Sequence, residues 1–185
     1  MIGMAENSLF TPSMRIGKGK FFQQAFLVED IDAAMKYWTD CWGIGPFFII
    51  RHAKWENLRY RGQPVEVDAS FAMAQAGPLQ IELCAQHNVA PSCYRDMFQP
   101  GQEGFHHLAT VVDNYDVEIA RLKDVGFEVA MEGTFGEMQF AYVDTRAVSG
   151  FMTEIVSNWG PVGDTHRMVA DASIAWDGRD PVRDL

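Results

Sequence analysis

Short apolar runs and amphipathic stretches follow one another along the chain in an order that occurs twice. In the first half, "QQAFLV" reads as a short strand. It leads into "DIDAAMKYWTDCWG", where Ile31, Ala34, Met35 and Trp38 recur at spacings of three and four and form one apolar helical stripe. Asp30 stands where an N-cap would accept from the first turn, and Gly43 stands near the helix end. Three strand-like runs come next, "PFFIIRHA", "VEVDASFAMA" and "LQIELCAQ"; the middle one alternates through Val65, Val67, Ala69 and Phe71.

The second half repeats the pattern. "HHLATVV" is its strand, Asn114 its cap, and "NYDVEIARLKDVG" its helix, with Val117, Ile119, Ala120 and Leu122 apolar and a stop at Gly126. "FEVAMEG", "MQFAYVDT" and "FMTEIVS" follow as strands. A shift of 84 positions lays Val28-Glu29-Asp30-Ile31-Asp32 on Val112-Asp113-Asn114-Tyr115-Asp116. Each half is thus a β-α-β-β-β module, the first over 21–86 and the second over 104–159. Modules this small reach stability most economically by packing on each other. Residues 1–20 read as an N-terminal arm and 87–103 as a linker with a short helix from Ser92 to Phe98. Residues 160–185 read as a C-terminal tail, either wrapped over a partner subunit or loosely ordered.

Composition narrows the partners. A chain of 185 residues with 48% hydrophobic and 22% charged content is that of a soluble globular protein. No apolar run approaches the ~18–20 residues that cross a bilayer, and the N-terminus lacks the layout of a signal peptide, so no membrane partner and a cytoplasmic location are expected. Cys41, Cys84 and Cys93 form no CxxC pair and read as packing residues. The net charge of −10 weighs against nucleic acid. Arg51, Lys54, Arg59 and Arg61 form a local basic cluster, either a solvated hairpin or a clamp for one carboxylate or phosphate.

Four polar residues interrupt apolar strands in register with the repeat. Gln23 corresponds to His107 at the offset of 84, and Glu82 in "QIELC" corresponds to Glu154 in "MTEIV". A carboxylate inside an apolar strand is costly unless water, a cation or a metal compensates it. Two at equivalent positions, with an imidazole and an amide beside them, supply N and O ligands for a divalent ion. His106 and His107 adjoin on a strand and point to opposite faces, so one of them joins a given cavity. His107 is that one, because Ala109 and Val111 share its face; His106 reads as a packing residue, and His52, His87 and His166 as surface residues.

The paired modules, with "VEDIDAAMKYWTDCWGIGPF", "GQEGFHHLATVV" and "GFMTEIV", resemble the vicinal oxygen chelate superfamily. That group comprises glyoxalase I, methylmalonyl-CoA epimerase, extradiol dioxygenases and bleomycin-resistance proteins. The resemblance spans Phe21 to Trp159, and "PSCYRDMFQPGQEGFHH" is similar to the epimerase-like branch. It implies an α+β fold in which two tandem β-α-β-β-β modules form curved mixed sheets around a metal-binding cleft. It further implies a divalent metal ion (Zn, Ni, Co, Mn or Mg) held by Gln23, Glu82, His107 and Glu154, a small-molecule substrate, and a homodimer.

The set Gln/Glu/His/Glu is similar to the zinc-type glyoxalase I pattern. Epimerases of the branch more often carry His at the position of Gln23 and Gln at that of Glu82, and no glutamate stands near Gly62 to Val65 where their separate base is expected. Extradiol dioxygenases use two His and one carboxylate, and bleomycin-resistance relatives sequester a drug without metal. The resemblance therefore implies a metal-dependent isomerase, epimerase or lyase working by redox-neutral proton transfer beside a carbonyl, with Glu154 as base and Glu82 second. Sequestration and extradiol oxygenation are the alternatives. Phe71, Met73, Phe98, Phe140 and Tyr142 are expected to face a hydrophobic or aromatic oxygenated substrate, with Arg59 available for one carboxylate.

Overall fold

Asp30 starts the first helix with its own side chain, whose carboxylate accepts the Ala33 N–H at 2.9 Å while its backbone stays extended. A computed structural model describes residues 21–157 and 160–185, so the N-terminal arm expected over 1–20 lies outside the described residues. Strand β1 (Gln23–Leu27) precedes that helix, α1 (Ile31–Trp42), which ends on Gly43 in the left-handed region that glycine enters freely. The first half continues through β2 (Phe47–Ile50), β3 (Glu56–Tyr60), β4 (Gln63–Pro64), β5 (Ala69–Ala76) and β6 (Leu79–Gln86). The second half contains β7 (Gly104–Val111), α2 (Tyr115–Asp124), β8 (Val129–Phe135), β9 (Met138–Val143), the single turn α3 (Arg146–Ser149) and β10 (Met152–Val156). Asn114 caps α2 by accepting from Val117 N–H at 3.1 Å. A helix α4 (Gly160–Ser173) and a strand β11 (Val182–Asp184) complete the chain.

All strands join one mixed sheet in the order β11-β2-β5-β6-β1-β7-β10-β9-β8-β3-β4. At its centre β1 and β7 run antiparallel, and each has the last strand of its own module, β6 or β10, parallel on its other side. The sequence repeat thus becomes an approximate twofold axis between β1 and β7. Alternation along the strands then divides the core. Ile81, Leu83 and Ala85 of β6 pack with Ile31 and Met35 of α1 on one face, and Ala141, Val143 and Ile155 pack with Ile119 and Leu122 of α2. On the opposite face Ala25, Leu27, Phe71, Cys84, Phe140 and Tyr142 form the inner core. In α2 the buried stripe is Ile119 and Leu122 alone; Val117 and Ala120 face solvent.

Three segments differ from the sequence reading or extend it. The basic stretch is a hairpin, turned by Arg61 and Gly62 at positive φ, but β3 pairs with β8 and so extends the other module's edge. Arg61 holds it there through Asp96 at 2.7 Å, Glu128 at 2.8 Å and Asp144 at 3.3 Å. The short helix expected over Ser92–Phe98 is a series of turns confined between Pro91 and Pro100, although Ser92 caps it as expected, its hydroxyl accepting from the Arg95 N–H at 3.1 Å while donating to Gln86 Oε1. The C-terminal residues, expected as a tail, fold back on the first module: Val169 of α4 packs on Phe48 and Met73, and β11 pairs in parallel with β2. Among the described side chains of α4 only Val169 is fully buried, so the apolar stripe that marks a helix is thin there.

Trp176 locks this C-terminal segment in place by lying over Gly45, where an added Cβ would come within 2.5 Å of the indole ring. Overpacking of this kind costs typically about 1–3 kcal/mol. Gly45→Ala is expected to loosen the β11–β2 pairing and raise amide hydrogen exchange at Val182–Asp184 roughly tenfold. Unchanged exchange there would show that the indole does not hold the strand.

Candidate metal and active site

The strand register brings the four interrupting polar residues to one place. Ala25 of β1 lies opposite His107 on β7 and beside Glu82 on β6, while Ala109 of β7 lies opposite Gln23 and beside Glu154 on β10. Each module thus contributes one first-strand residue and one last-strand carboxylate, related by the approximate twofold axis. The two alanines between them, both fully buried, leave room that larger side chains would fill.

His107 is the hub. Its Nε2 lies 3.3 Å from Glu154 Oε2 and 3.5 Å from Glu82 Oε2, and it makes no hydrogen bond. The ring's tautomer follows from its neighbour. His106 is completely buried, and burial holds its imidazole well below the usual pKa, so it is neutral. Its Nε2 is 3.1 Å from the Cys93 carbonyl, an acceptor, so the single ring proton sits there. His106 Nδ1 must then accept from His107 Nδ1–H across 2.9 Å. In its neutral form His107 then presents the Nε2 lone pair to the two carboxylates, and three electron-rich groups converge on one point. This set fits a divalent cation, and the His106 contact is the outer-shell support that keeps a ligating imidazole in the right tautomer.

Glu82 feels the burial most. Loss of solvent pushes its carboxyl up to about 7, with Glu154 adding repulsion and His107 opposing. Cys84 Sγ and Gln23 Nε2 each reach Glu82 at 3.4 Å. Gln23 Nε2 also donates to Gln80 Oε1 at 2.8 Å, so rotation of the terminal amide is what would bring its oxygen to the shared point.

Gln23, Glu82 and Glu154 line the floor of a cavity of about 400 Å³, and His107, fully buried, lies behind the two carboxylates. Phe71, Met73, Phe140 and Tyr142 line it as expected. Two other expected contacts lie elsewhere: Phe98 covers Gly104 in the core, and the Arg59 guanidinium turns back to the Gly62 carbonyl at 3.0 Å. The wall includes no Lys or Arg among the described residues. It gains Phe22, Trp55, Phe135 and, from the C-terminal segment, Thr165, His166 and Leu185. His166, expected at the surface, stands edge-on to Phe22 at 5.2 Å, and burial lowers its imidazole to about 4, which leaves it neutral at physiological pH. The one local signal for His166 is its spacing of three from the buried Val169 on α4, too faint on its own to place it inward.

Comparison with known proteins bears on this geometry. The family model described as "Glyoxalase/Bleomycin resistance protein/Dioxygenase superfamily" matches residues 22–142. No curated protein matches the chain. Among solved structures, a hypothetical protein from Bacillus halodurans C-125 is 19% identical with a TM-score of 0.53, covering 75% of this chain and 94% of its own. A Streptomyces coelicolor methylmalonyl-CoA epimerase variant in complex with 2-nitronate-propionyl-CoA is 18% identical with a TM-score of 0.50, covering 76% and 95%. A methylmalonyl-CoA epimerase in complex with methylmalonyl-CoA and NH4+ is 16% identical with a TM-score of 0.51, covering 76% and 95%. At these identities the likeness is one of fold.

The raised Glu82 pKa has a definite sign in stability. Its folded value exceeds its unfolded one, so its contribution is intact below about 4.5 and is lost as pH rises through about 7. In metal-free protein, wild type is expected to lose unfolding free energy relative to Glu82→Gln across that window, by at most about 1.4 kcal/mol per pH unit. Parallel urea-unfolding curves for the two proteins from pH 4.5 to 7.5 would show instead that Glu82 is not buried as a charge.

Proposed function

The chain belongs to the glyoxalase/bleomycin-resistance/dioxygenase superfamily, and we propose that it is a metal-dependent isomerase, epimerase or lyase acting on a small apolar, oxygenated carbonyl compound. One observation carries this reading: two carboxylates from twofold-related strands line the floor of an aromatic cavity and converge on Nε2 of His107, buried just behind them. A divalent ion held by Glu82, His107 and Glu154, with the Gln23 amide, would supply Lewis acidity to a substrate oxygen there.

The chain's own residues supply the rest. Glu154 accepts the proton from the carbon next to the carbonyl, and Glu82, across His107 from it, is the second acid–base group. A carboxyl whose proton affinity lies near neutrality, as Glu82's does, both gives and takes a proton at working pH. Phe71, Phe140 and Trp55 press an apolar body against the floor and exclude water. The Tyr142 hydroxyl, 3.0 Å from Tyr94 and kept protonated by burial, fixes the ring beside His107.

The absence of a basic side chain from the described wall argues against anionic conjugates as substrates. A second reading, sequestration of an apolar compound without metal, is favoured by those same aromatic walls. Metal analysis followed by a screen of α-carbonyl compounds in D₂O separates the two. Exchange of the α-proton is expected, abolished by EDTA and reduced roughly 10²–10⁴-fold in Glu154→Gln. Ligand binding that survives both EDTA and Glu154→Ala, with no exchange in any compound, would replace this reading by sequestration.

A further inference from the structure

Three adjacent strands bring a second group of metal-ligating side chains to one rim of the sheet. β2, β5 and β6 are neighbours, antiparallel in turn, so the end of β2, the start of β5 and the end of β6 coincide. His52 follows β2, Asp68 immediately precedes β5, and His87 immediately follows β6. Main-chain bonds prolong both ladders to this rim, with His87 N donating to Asp68 O at 2.7 Å and Ala53 N donating to Ala69 O at 2.8 Å. His52 is fixed further by its N–H donating to Ser70 Oγ at 3.1 Å, in a left-handed conformation with φ of 49° that a non-glycine residue adopts only where its surroundings impose it.

The side chains converge as the backbones do. His52 Nδ1 lies 2.7 Å from Asp68 Oδ1, and His87 Nε2 lies 2.7 Å from Ser70 Oγ. The two imidazole centroids are 4.7 Å apart, and one ligand atom from each of His52, Asp68 and His87 falls within 4.8 Å of the others. Without metal the shared proton bridges His52 Nδ1 and Asp68 Oδ1; a divalent ion would release it to solvent and take the Nδ1 lone pair and the carboxylate oxygen together. Two imidazoles and one carboxylate on paired strands form an N/N/O set, which suits Zn(II), Ni(II), Co(II) or Cu(II) rather than Mg(II) or Ca(II).

We infer that His52, Asp68 and His87 form a second divalent-metal site, separate from the buried one, that clips the segment after β2 to the ends of β5 and β6. None of the three lines the main cavity, but the clipped segment carries Ala53 and Trp55, which do. The groove beside the site is lined by His52, Asp68, Trp55 and Asn88, so the same indole forms part of both surfaces. A metal here restrains the cavity wall from behind, without touching substrate.

The test is a count. Metal-stripped full-length protein is titrated with Co²⁺ against a chromophoric chelator, in wild type, in the double variant His52→Ala/His87→Ala, in Asp68→Asn and in His107→Ala. Wild type is expected to take two equivalents, with one lost in the double variant and a different one lost in His107→Ala. Asp68→Asn keeps an acceptor for His52 and removes the charge, so loss of the rim equivalent there reports ligation rather than misfolding. A single equivalent that disappears in the rim variants still supports this site and counts against the buried one. Unchanged stoichiometry in both Asp68→Asn and the double variant would overturn it.

Discussion

Two buried carboxylates facing the lone pair of one imidazole are the constraint around which this molecule is organised. Glu82 and Glu154 both lie within 3.5 Å of His107 Nε2 on the inner face of the sheet. An uncompensated charge in such a place costs several kcal/mol, more than most single packing interactions return. The fold concentrates its support here: the central pairing of β1 with β7 sets the spacing, small residues at Ala25 and Ala109 keep the point open, and α1 and α2 pack on the opposite face, leaving this one free for chemistry. A cation at that point turns the cost into binding free energy, which is why the set reads as a site and not as a defect.

The linker has its part in this arrangement. Cys93 and Tyr94 are completely buried, although they stand in a stretch of turns between the modules. The Cys93 carbonyl fixes the His106 proton, and the Tyr94 ring packs on His106 at 4.8 Å while its hydroxyl meets Tyr142. From this comes a directed chain, Cys93 carbonyl to His106 to His107, ending in a lone pair aimed at the carboxylates. The doubled histidine therefore has two roles: His107 faces the point of convergence, and His106, which does not, determines which nitrogen of His107 can serve.

What the sequence disclosed and what it concealed follow from the same physics. The repeat, the caps at Asp30 and Asn114, and the strands carrying Gln23, Glu82, His107 and Glu154 are local patterns, and burial of the sheet's inner face imprints them directly on the residue order. Pairings between distant strands leave no such imprint. Nothing in "RHAKWENLRYRG" announces that β3 joins β8 of the other module, and so the stretch reads equally as a solvated hairpin or an anion clamp; it is the hairpin, with Arg61 engaged with Asp96, Glu128 and Asp144 and Arg59 turned to the Gly62 carbonyl. Phe98 was misplaced for a related reason: an aromatic near the site in sequence covers Gly104, whose lack of a side chain makes the space for it. Among the described side chains of α4 the inward stripe amounts to one fully buried valine, too faint to show a helix or to bring His166 inside.

That concealed part bears on selectivity. The family model covers residues 22–142, whereas Thr165, His166 and Leu185 come from beyond it and still line the cavity. The floor is built twice over by the repeat and constrained by the cost of burying charge, so its residue types have little latitude. The wall opposite has no such constraint, since aromatic and aliphatic side chains exchange there at modest cost as long as volume is kept. A helix and a strand laid across the first module can therefore reshape the cavity while leaving the carboxylates and His107 in place. In this chain they contribute a neutral imidazole, a threonine hydroxyl and apolar carbons, with no cation among the described lining residues, so the wall outside the family match differs in character from the carboxylate floor.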